Sequence, residues 1–126
     1  MKIPHAASAV VPDRKITGYL LNPAHPVGGS KALFFIRHGF SPGLWEDLKL
    51  ALLRHLAENE VAGLEHTRYG TRFVVDGPVH APDGTVLNIR CAWYIDSEGE
   101  IPRFVTAIHC QNHENNPRTR PGGPVV

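Results

Sequence analysis

The sequence predicts an α+β domain in which two or three N-terminal helices pack on one face of a three- to four-stranded antiparallel meander sheet. Between residues 13 and 63, apolar residues recur at helical spacings of three and four, bounded by capping residues and prolines. After residue 70 the chain changes to short runs rich in β-branched and aromatic residues, separated by turn residues. Helices followed by strands indicate an α+β fold.

Composition excludes several classes of protein. The chain has 126 residues, and 13 Lys and Arg against 12 Asp and Glu give a net charge of +1. Bulk charge therefore does not favour nucleic acid, and an anionic partner must be held by a local cluster. No apolar run approaches the length of a membrane span, and the N-terminal residues lack an apolar h-region, so we expect no signal peptide. We expect one cytoplasmic domain over residues 1–110, no membrane partner, and a disordered Pro/Gly-rich tail over 111–126.

Two short helices are predicted before residue 40. Asp13 can cap the first, which ends at Asn22 because the residue before a proline avoids the helical region. Ser30 can cap the second, which covers Lys31 to His38 and is followed by Gly39.

A longer helix follows, with Ser41 and Pro42 suited to its N-cap and first position. One face of it carries Trp45, Leu48, Leu52 and Leu56.

The strands are connected by two turns. In the turn from Ala81 to Thr85, Pro82 suits the second position of a type I turn and Gly84 suits the left-handed residue, which indicates a three-residue hairpin loop. The second turn lies between Asp96 and Ile101. A short additional edge strand is expected from Ala9 to Val11.

These turns set the register and therefore the two faces of the sheet. A tighter first loop would bury Arg72 and Asp76 without partners, which is costly. The longer loop gives an apolar face, covered by the helices, with the expected neighbours Phe73–Trp93–Phe104, Val75–Cys91–Thr106 and Ile89–Ile108. The opposite face has the expected rows Arg72–Tyr94–Arg103, Val74–Ala92–Val105, Asp76–Arg90–Ala107 and Pro78–Asn88–His109.

The polar face is the first candidate site. Arg72 and Arg103 flank Tyr94, and guanidinium groups can bind a phosphodiester while the ring stacks on a base. The alternative is a solvated face on which Asp76 and Arg90 form an ordinary cross-strand ion pair.

The stretch from Asn22 to Phe35 is the second candidate. Gly28 and Gly29 lead into a helix start at Ser30, where free backbone N–H groups attract anions. Lys31 in the first turn opposes the helix dipole, which suggests that an anion compensates it. His25 is a candidate general base. The alternative is that this stretch only steers the chain between two helices.

We predict no metal and no other cofactor. The eight histidines lack the spacing of known zinc motifs, and the nearest approach to one is His109-Cys110-His113. The glycines match neither a Walker A loop nor a dinucleotide fingerprint. Cys91 and Cys110 are not expected to form a disulfide.

Several motifs together resemble a bacterial family of uncharacterised domains with a His-Pro-x-Gly-Gly-x-Lys signature. The matching segments are Leu21 to Ala32, Tyr69 to Asp76, Pro82 to Gly84, Trp93 to Ile95 and Pro102 to Thr106. Members of that family stand alone or lie at the C-terminus of polymorphic toxins and phage head-morphogenesis proteins. The resemblance implies a toxin-like nuclease. The arrangement of helices followed by an antiparallel sheet also resembles that of barnase-like and colicin-like ribonucleases, which need no metal.

The resemblance implies a set of catalytic residues, namely His25, Lys31, Tyr69, Arg72, Arg103 and Thr106. The predicted binding residues are Gly28, Gly29, Ser30, Asp76, Arg90 and Tyr94. Many members have histidine before the motif lysine, where this chain has Ser30.

The resulting hypothesis is a metal-independent ribonuclease or RNA-binding domain. In it, His25, Lys31, Arg72 and Arg103 converge, and His25 takes the proton of a ribose 2′-hydroxyl while the cations stabilise the phosphate. Tyr69 is the candidate acid. The alternative is a non-enzymatic module that binds a protein partner, a second copy or a small ligand through the sheet face or a free strand edge.

Overall fold

A computed structural model describes residues 1–110 of the chain, and the predicted disordered tail lies outside the described residues. The helices are α1 (Asp13–Lys15), which continues as a π-helical turn over Ile16–Leu20, α2 (Gly29–Arg37) and α3 (Trp45–Glu58). Single 3₁₀ turns cover Ala6–Ser8 and Pro42–Leu44. The strands are β1 (Val61–Thr67), β2 (Gly70–His80), β3 (Val86–Asp96) and β4 (Arg103–His109).

The four strands form one antiparallel meander in the order β1-β2-β3-β4, which confirms the α+β prediction. The fourth strand is β1, which pairs with β2. The expected edge strand from Ala9 to Val11 is not a full strand. Val10 forms an isolated parallel bridge with Arg103. The sequence of β1, VAGLEHT, hid this strand because it is largely exposed and lacks apolar alternation.

The helix starts differ in part from those predicted. Helix α2 begins at Gly29, so Ser30 lies in its first turn and is not the N-cap. Asp13 is the first residue of α1, and its side chain does not cap it. Ser41 caps the 3₁₀ turn Pro42–Leu44 directly before α3, and not α3 itself: its Oγ accepts a hydrogen bond from the Gly43 N–H at 3.2 Å.

The register between β2 and β3 agrees with the prediction. The Ala81 N–H donates to the Thr85 carbonyl at 2.9 Å, which closes the three-residue loop. The observed pairs include Arg72–Tyr94, Phe73–Trp93, Val75–Cys91, Asp76–Arg90 and Pro78–Asn88. The predicted hairpin loop therefore gave the correct assignment of side chains to the two faces of β2 and β3.

The register between β3 and β4 was predicted correctly only at its start. Trp93 pairs with Phe104 and Tyr94 with Arg103, but a β-bulge follows and leaves Val105 as an extra residue. The remaining observed pairs are Ala92–Thr106, Cys91–Ala107, Arg90–Ile108 and Ile89–His109, so the expected neighbours beyond the bulge were wrong by one residue.

The bulge has a packing reason. It turns the small Ala107 into the core, where it is fully buried, and leaves Ile108 41% exposed. The core lies between the helices and the sheet and includes Ile16, Leu20, Phe35, Leu48, Leu52, Leu56, Val75, Ile89, Trp93 and Phe104. Trp93 and Phe104 meet edge to face, with ring centroids 5.4 Å apart.

Both cysteines are free thiols, and burial raises the pKa of Cys91. Across residues 1–110, none of the helices has the length and apolar character needed to cross a lipid bilayer.

His55 of α3 is the polar residue buried in this core, with 1% of its surface exposed. Its Nε2 lies 2.8 Å from the carbonyl oxygen of Ile89, which can only accept, so Nε2 carries the proton. Burial lowers the pKa of His55, although the Ile89 carbonyl partly opposes the shift. The ring therefore packs as a neutral hydrogen-bond donor at neutral pH.

The stability of the domain should fall as the pH drops below about 6.5, the pKa of an unfolded histidine. Because the folded pKa of His55 is lower, the unfolded state then binds more protons, at a cost of up to about 1.4 kcal/mol per pH unit. Urea unfolding between pH 7.5 and 5.5 measures this change in stability, because this pH range lies above the usual pKa values of carboxyl groups. His55→Gln should flatten the dependence and the exposed His66→Gln should not; equal slopes in all three proteins contradict this role.

Candidate functional site

The loop before α2 fixes the ring of His25 through its own backbone. The N–H groups of Val27 and Gly28 both donate to His25 Nδ1, at 3.0 and 2.9 Å. With two donors on Nδ1, the ring proton belongs on Nε2, and this assignment follows from the hydrogen bonds. In this arrangement His25 is a neutral donor, which does not suit the general-base role expected from the sequence.

The paired glycines allow two close contacts of the backbone. A Cβ atom on Gly28 would collide with the ring of Tyr19. A Cβ atom on Gly29 would lie 2.5 Å from the carbonyl oxygen of Pro23. The two glycines therefore let the start of α2 pack directly on Tyr19 and on the preceding loop.

Three side chains from different elements meet beside this loop and form the Tyr19–Lys31–Thr106 cluster. Tyr19 lies in the π-helical turn, Lys31 in α2 and Thr106 in β4 just after the bulge. Lys31 Nζ donates to the Tyr19 hydroxyl at 2.7 Å and to Thr106 Oγ1 at 2.9 Å. The two hydroxyl oxygens lie 3.0 Å apart.

The hydrogens of this cluster leave two donors for a ligand. An ammonium group has three hydrogens and each hydroxyl has one. Lys31 uses two of its hydrogens within the cluster, and one hydroxyl donates to the other. One N–H of Lys31 and one hydroxyl hydrogen remain free to point outward. Such a set of donors suits an anion.

The cluster also changes the acidity of Tyr19. Partial burial by itself raises the pKa of Tyr19, but the hydrogen bonds with Lys31 and Thr106 and the charges of Lys31 and Lys15 lower it overall. The ammonium groups of Lys15 and Lys31 lie 5.5 and 5.3 Å from the centroid of the Tyr19 ring. His25 packs against the same ring edge to face at 5.1 Å.

The cluster forms part of the wall of an open groove of about 670 Å³, here called the Tyr19 groove. Its other lining residues are Arg14, Lys15, Gly18, His25, Val27 and Val105, and no acidic residue of the described chain lines it. Lys15 is held in place by a 3.1 Å hydrogen bond to the Val105 carbonyl. A groove with three cations and free donors is suited to a phosphate group.

A second cavity, of about 230 Å³, lies between α3 and the end of β2. It is lined by Asp47 and Glu58 as well as Arg54, so charges of both signs are present. This balance does not favour an anion, and we regard the Tyr19 groove as the candidate site.

The predicted residues of the polar face form a separate row. Arg72, Tyr94 and Arg103 are neighbours across the strands, as predicted, and the Arg103 guanidinium lies 5.1 Å from the Tyr94 ring centroid. Arg103 also pairs with Asp96 at 3.3 Å. Arg72 and Arg103 are not among the residues that line the Tyr19 groove, so the predicted convergence with His25 and Lys31 is not found there.

Asp76 and Arg90 form the ion pair that the alternative interpretation described. Arg90 donates to both carboxylate oxygens of Asp76, at 2.7 and 2.8 Å, and these bonds lower the pKa of Asp76. Tyr69 lies in the β1–β2 turn, 68% exposed, with the Arg68 guanidinium 5.3 Å from its ring centroid. None of Asp76, Arg90 or Tyr69 lines the Tyr19 groove.

The sequence analysis missed Tyr19, Lys15 and Arg14. Tyr19 is partly buried and packs against the core, as an ordinary apolar residue of a helix would. One signal was present: Lys15 and Tyr19 are four residues apart and so lie on one side of a helical turn. Thr106 was named for its place in a motif, but its position beside Lys31 depends on the bulge.

A family model described as a domain of unknown function, DUF6883, matches residues 2–111. The chain belongs to this family. Membership of a family of uncharacterised domains agrees with the resemblance seen in the sequence, while the His-Pro-x-Gly-Gly-x-Lys signature stays an interpretation. A comparison with curated proteins found no match.

A solved structure shares the fold of this DUF6883 member. It is a chain of the "Contact-dependent growth inhibition toxin - immunity protein complex from Klebsiella pneumoniae 342", with a TM-score of 0.65 and 18% sequence identity. The match covers 86% of this chain and 98% of that chain.

Within residues 1–110, no group of three or more His, Cys, Asp or Glu side chains is placed to hold a metal ion.

We expect Lys31→Met to raise the pKa of Tyr19, because the variant removes a hydrogen bond and a positive charge that stabilise the phenolate. The phenol Cζ resonance of labelled tyrosine, followed by NMR against pH, measures this value. The chain has three tyrosines, and Tyr19→Phe assigns the signal. Lys49→Met is the matched control, since Lys49 pairs with Asp13. An unchanged titration of Tyr19 in Lys31→Met contradicts the cluster.

Proposed function

We propose that the protein is a toxin-like, metal-independent ribonuclease that binds an RNA phosphodiester in the Tyr19 groove. One observation carries the proposal: polar atoms of Tyr19, Lys31 and Thr106 meet within 2.7–3.0 Å of one another in a cationic groove that no acidic residue among residues 1–110 lines. A ribonuclease needs donors for the phosphate oxygens and a base for the 2′-hydroxyl. The cluster offers both kinds of group.

In the proposed reaction, the phosphate oxygens accept hydrogen bonds from Thr106 and from the Nε2–H of His25. The ionised phenol of Tyr19 takes the proton of the 2′-hydroxyl, and the 2′ oxygen attacks phosphorus. The bond to the 5′ oxygen breaks, and this oxygen leaves with a proton from the Lys31 ammonium. The products are a 2′,3′-cyclic phosphate and a 5′-hydroxyl. The phenol then returns its proton to the Lys31 amine across their 2.7 Å hydrogen bond.

The lowered pKa of Tyr19 supports its role as the base. A general base works best when its pKa approaches the working pH. The charges of Lys15 and Lys31 favour the phenolate, and the same charges attract the substrate. His25 acts as a fixed donor in place of the base expected from the sequence, because its Nδ1 already accepts two backbone hydrogen bonds.

The toxin-like part of the proposal draws on the structural neighbour, a chain from a complex of a growth-inhibition toxin and an immunity protein. At 18% identity that likeness shows the fold, and the toxin-like role is carried over to this chain as part of the proposal. The row of Arg72, Tyr94 and Arg103 is proposed to contact RNA that flanks the groove, since Arg103 lies two residues before the groove residue Val105 on β4.

The decisive experiment is an assay of total RNA in the presence of a chelator. We expect cleavage that leaves 2′,3′-cyclic phosphates and that becomes faster as the pH rises towards the pKa of Tyr19. Tyr19→Phe should lower the rate of cleavage by about 100-fold or more, because it removes the base. A deoxyribose oligonucleotide should bind but stay intact, since it has no 2′-hydroxyl.

Tyr69→Phe is the matched control, because Tyr69 is exposed and lies outside the groove. Its rate should equal that of the unaltered protein. If RNA stays intact, or if Tyr19→Phe and Lys31→Met cleave it normally, the ribonuclease proposal is wrong. Lys31→Met also raises the pKa of Tyr19, so its remaining rate should show a pH profile shifted to higher pH.

A second candidate function is binding of a protein through the edge strand β1. This strand is at the end of the sheet, and Leu64 on it is 44% exposed. The structural neighbour was solved as a toxin–immunity protein complex, which also favours a protein partner. Sedimentation velocity tests the case of a second copy: a dimer that Leu64→Lys dissociates, together with intact RNA in the assay above, favours this function.

A further inference from the structure

A smaller cavity lies beside the Tyr19 groove, between α2 and the end of β4. Its volume is about 150 Å³, and we call it the His109 pocket. It shares Lys31 with the groove and is otherwise lined by Ser30, Phe34, Phe35, Ala107, Ile108 and His109. The proposed reaction gives these aromatic residues no role.

The aromatic rings of the pocket are already stacked. The rings of Phe34 and His109 are nearly parallel, 24° apart, with centroids separated by 4.4 Å. Phe34 is also fixed by the rings of Phe35 and His38, at 5.5 and 5.0 Å. Phe34 is half-buried, whereas His109 is exposed. A flat ligand can therefore extend the stack on the exposed ring of His109 without disturbing the core.

The pocket follows the groove along two elements at once. On α2, Lys31 and Phe34 are three residues apart, which is a rise of about 4.5 Å on one side of the helix. On β4, the groove residue Thr106 is followed directly by the pocket residues Ala107, Ile108 and His109. Both elements thus lead from a hydrogen-bonding residue of the cluster to an aromatic residue of the pocket. A ligand with an anionic group joined to a flat ring matches this order.

We propose that the His109 pocket binds the nucleobase next to the phosphate held by the Tyr19–Lys31–Thr106 cluster. This inference rests on the proposed function of the groove and adds a subsite for the base. The base stacks on His109, and its phosphate accepts hydrogen bonds from Lys31. Because stacking uses the flat face that every base has, the subsite accepts purines and pyrimidines alike.

The test compares adenosine 5′-monophosphate with ribose 5-phosphate, which differ only in the base. Binding to the full-length labelled protein is followed by NMR. Both ligands should shift the amide signals of Lys31 and Thr106, and only the nucleotide should shift those of Ala107 and Ile108. The nucleotide should bind at least about fivefold more tightly, which is the lower end of the contribution of one stacked base.

Two variants separate stacking from folding. His109→Ala should remove the advantage of the nucleotide and leave ribose 5-phosphate binding unchanged, while His109→Trp should keep the advantage. His80→Ala is the control, because His80 is an exposed histidine on β2 outside the pocket. Equal loss of affinity for both ligands in His109→Ala overturns the subsite, since it indicates a structural role.

The remaining outcomes distinguish the two proposals. If both ligands bind equally well and both depend on Lys31, the base subsite is wrong and the phosphate site in the groove stands. If neither ligand shifts the amide signals of Lys31 and Thr106, the phosphate site is wrong, and the base subsite is wrong with it.

Discussion

The β-bulge at Val105 is the constraint on which the site depends. An extra residue in β4 turns Ala107 into the core and places Thr106 where it meets Lys31 and Tyr19. Without the bulge, Thr106 would pair with Cys91, where Ala107 now lies, and Ile108 would pair with Ile89, where His109 now lies. Bulges commonly re-aim side chains beside functional sites. Here one inserted residue serves both the packing of the core and the geometry of the cluster.

The cluster also explains an unfavourable feature of α2. A lysine in the first turn of a helix opposes the helix dipole. The ammonium group of Lys31 turns away to the hydroxyl oxygens of Tyr19 and Thr106, so part of this cost is offset by hydrogen bonds. Gly28 makes the contact possible, because a side chain there would displace the Tyr19 ring. The segment from Gly28 to Lys31 therefore contributes to the site through close backbone packing as much as through the charge of Lys31.

Charge pairing separates the groove from the outer face of the sheet. On the outer face, Arg90 is bonded to Asp76 and Arg103 to Asp96, so these cations already have acidic partners. In the Tyr19 groove, the partners that residues 1–110 provide for Lys15 and Lys31 are neutral oxygens of Val105, Tyr19 and Thr106. Cations without acidic partners attract anions more strongly. Because of this contrast, the groove is the better candidate for an anion site, although residues of both surfaces were candidates from the sequence.

The sequence by itself determined the fold class, the first hairpin register, the row Arg72–Tyr94–Arg103 and the selection of His25 and Lys31, which line one groove. Turn chemistry and apolar alternation are local properties, so they can be read without coordinates. Only the tertiary structure decided that β1 is a strand, that β4 bulges at Val105 and that Tyr19 joins the site. Each of these depends on how residues far apart in the chain fill a shared space, and packing of that kind leaves no periodic pattern in the sequence.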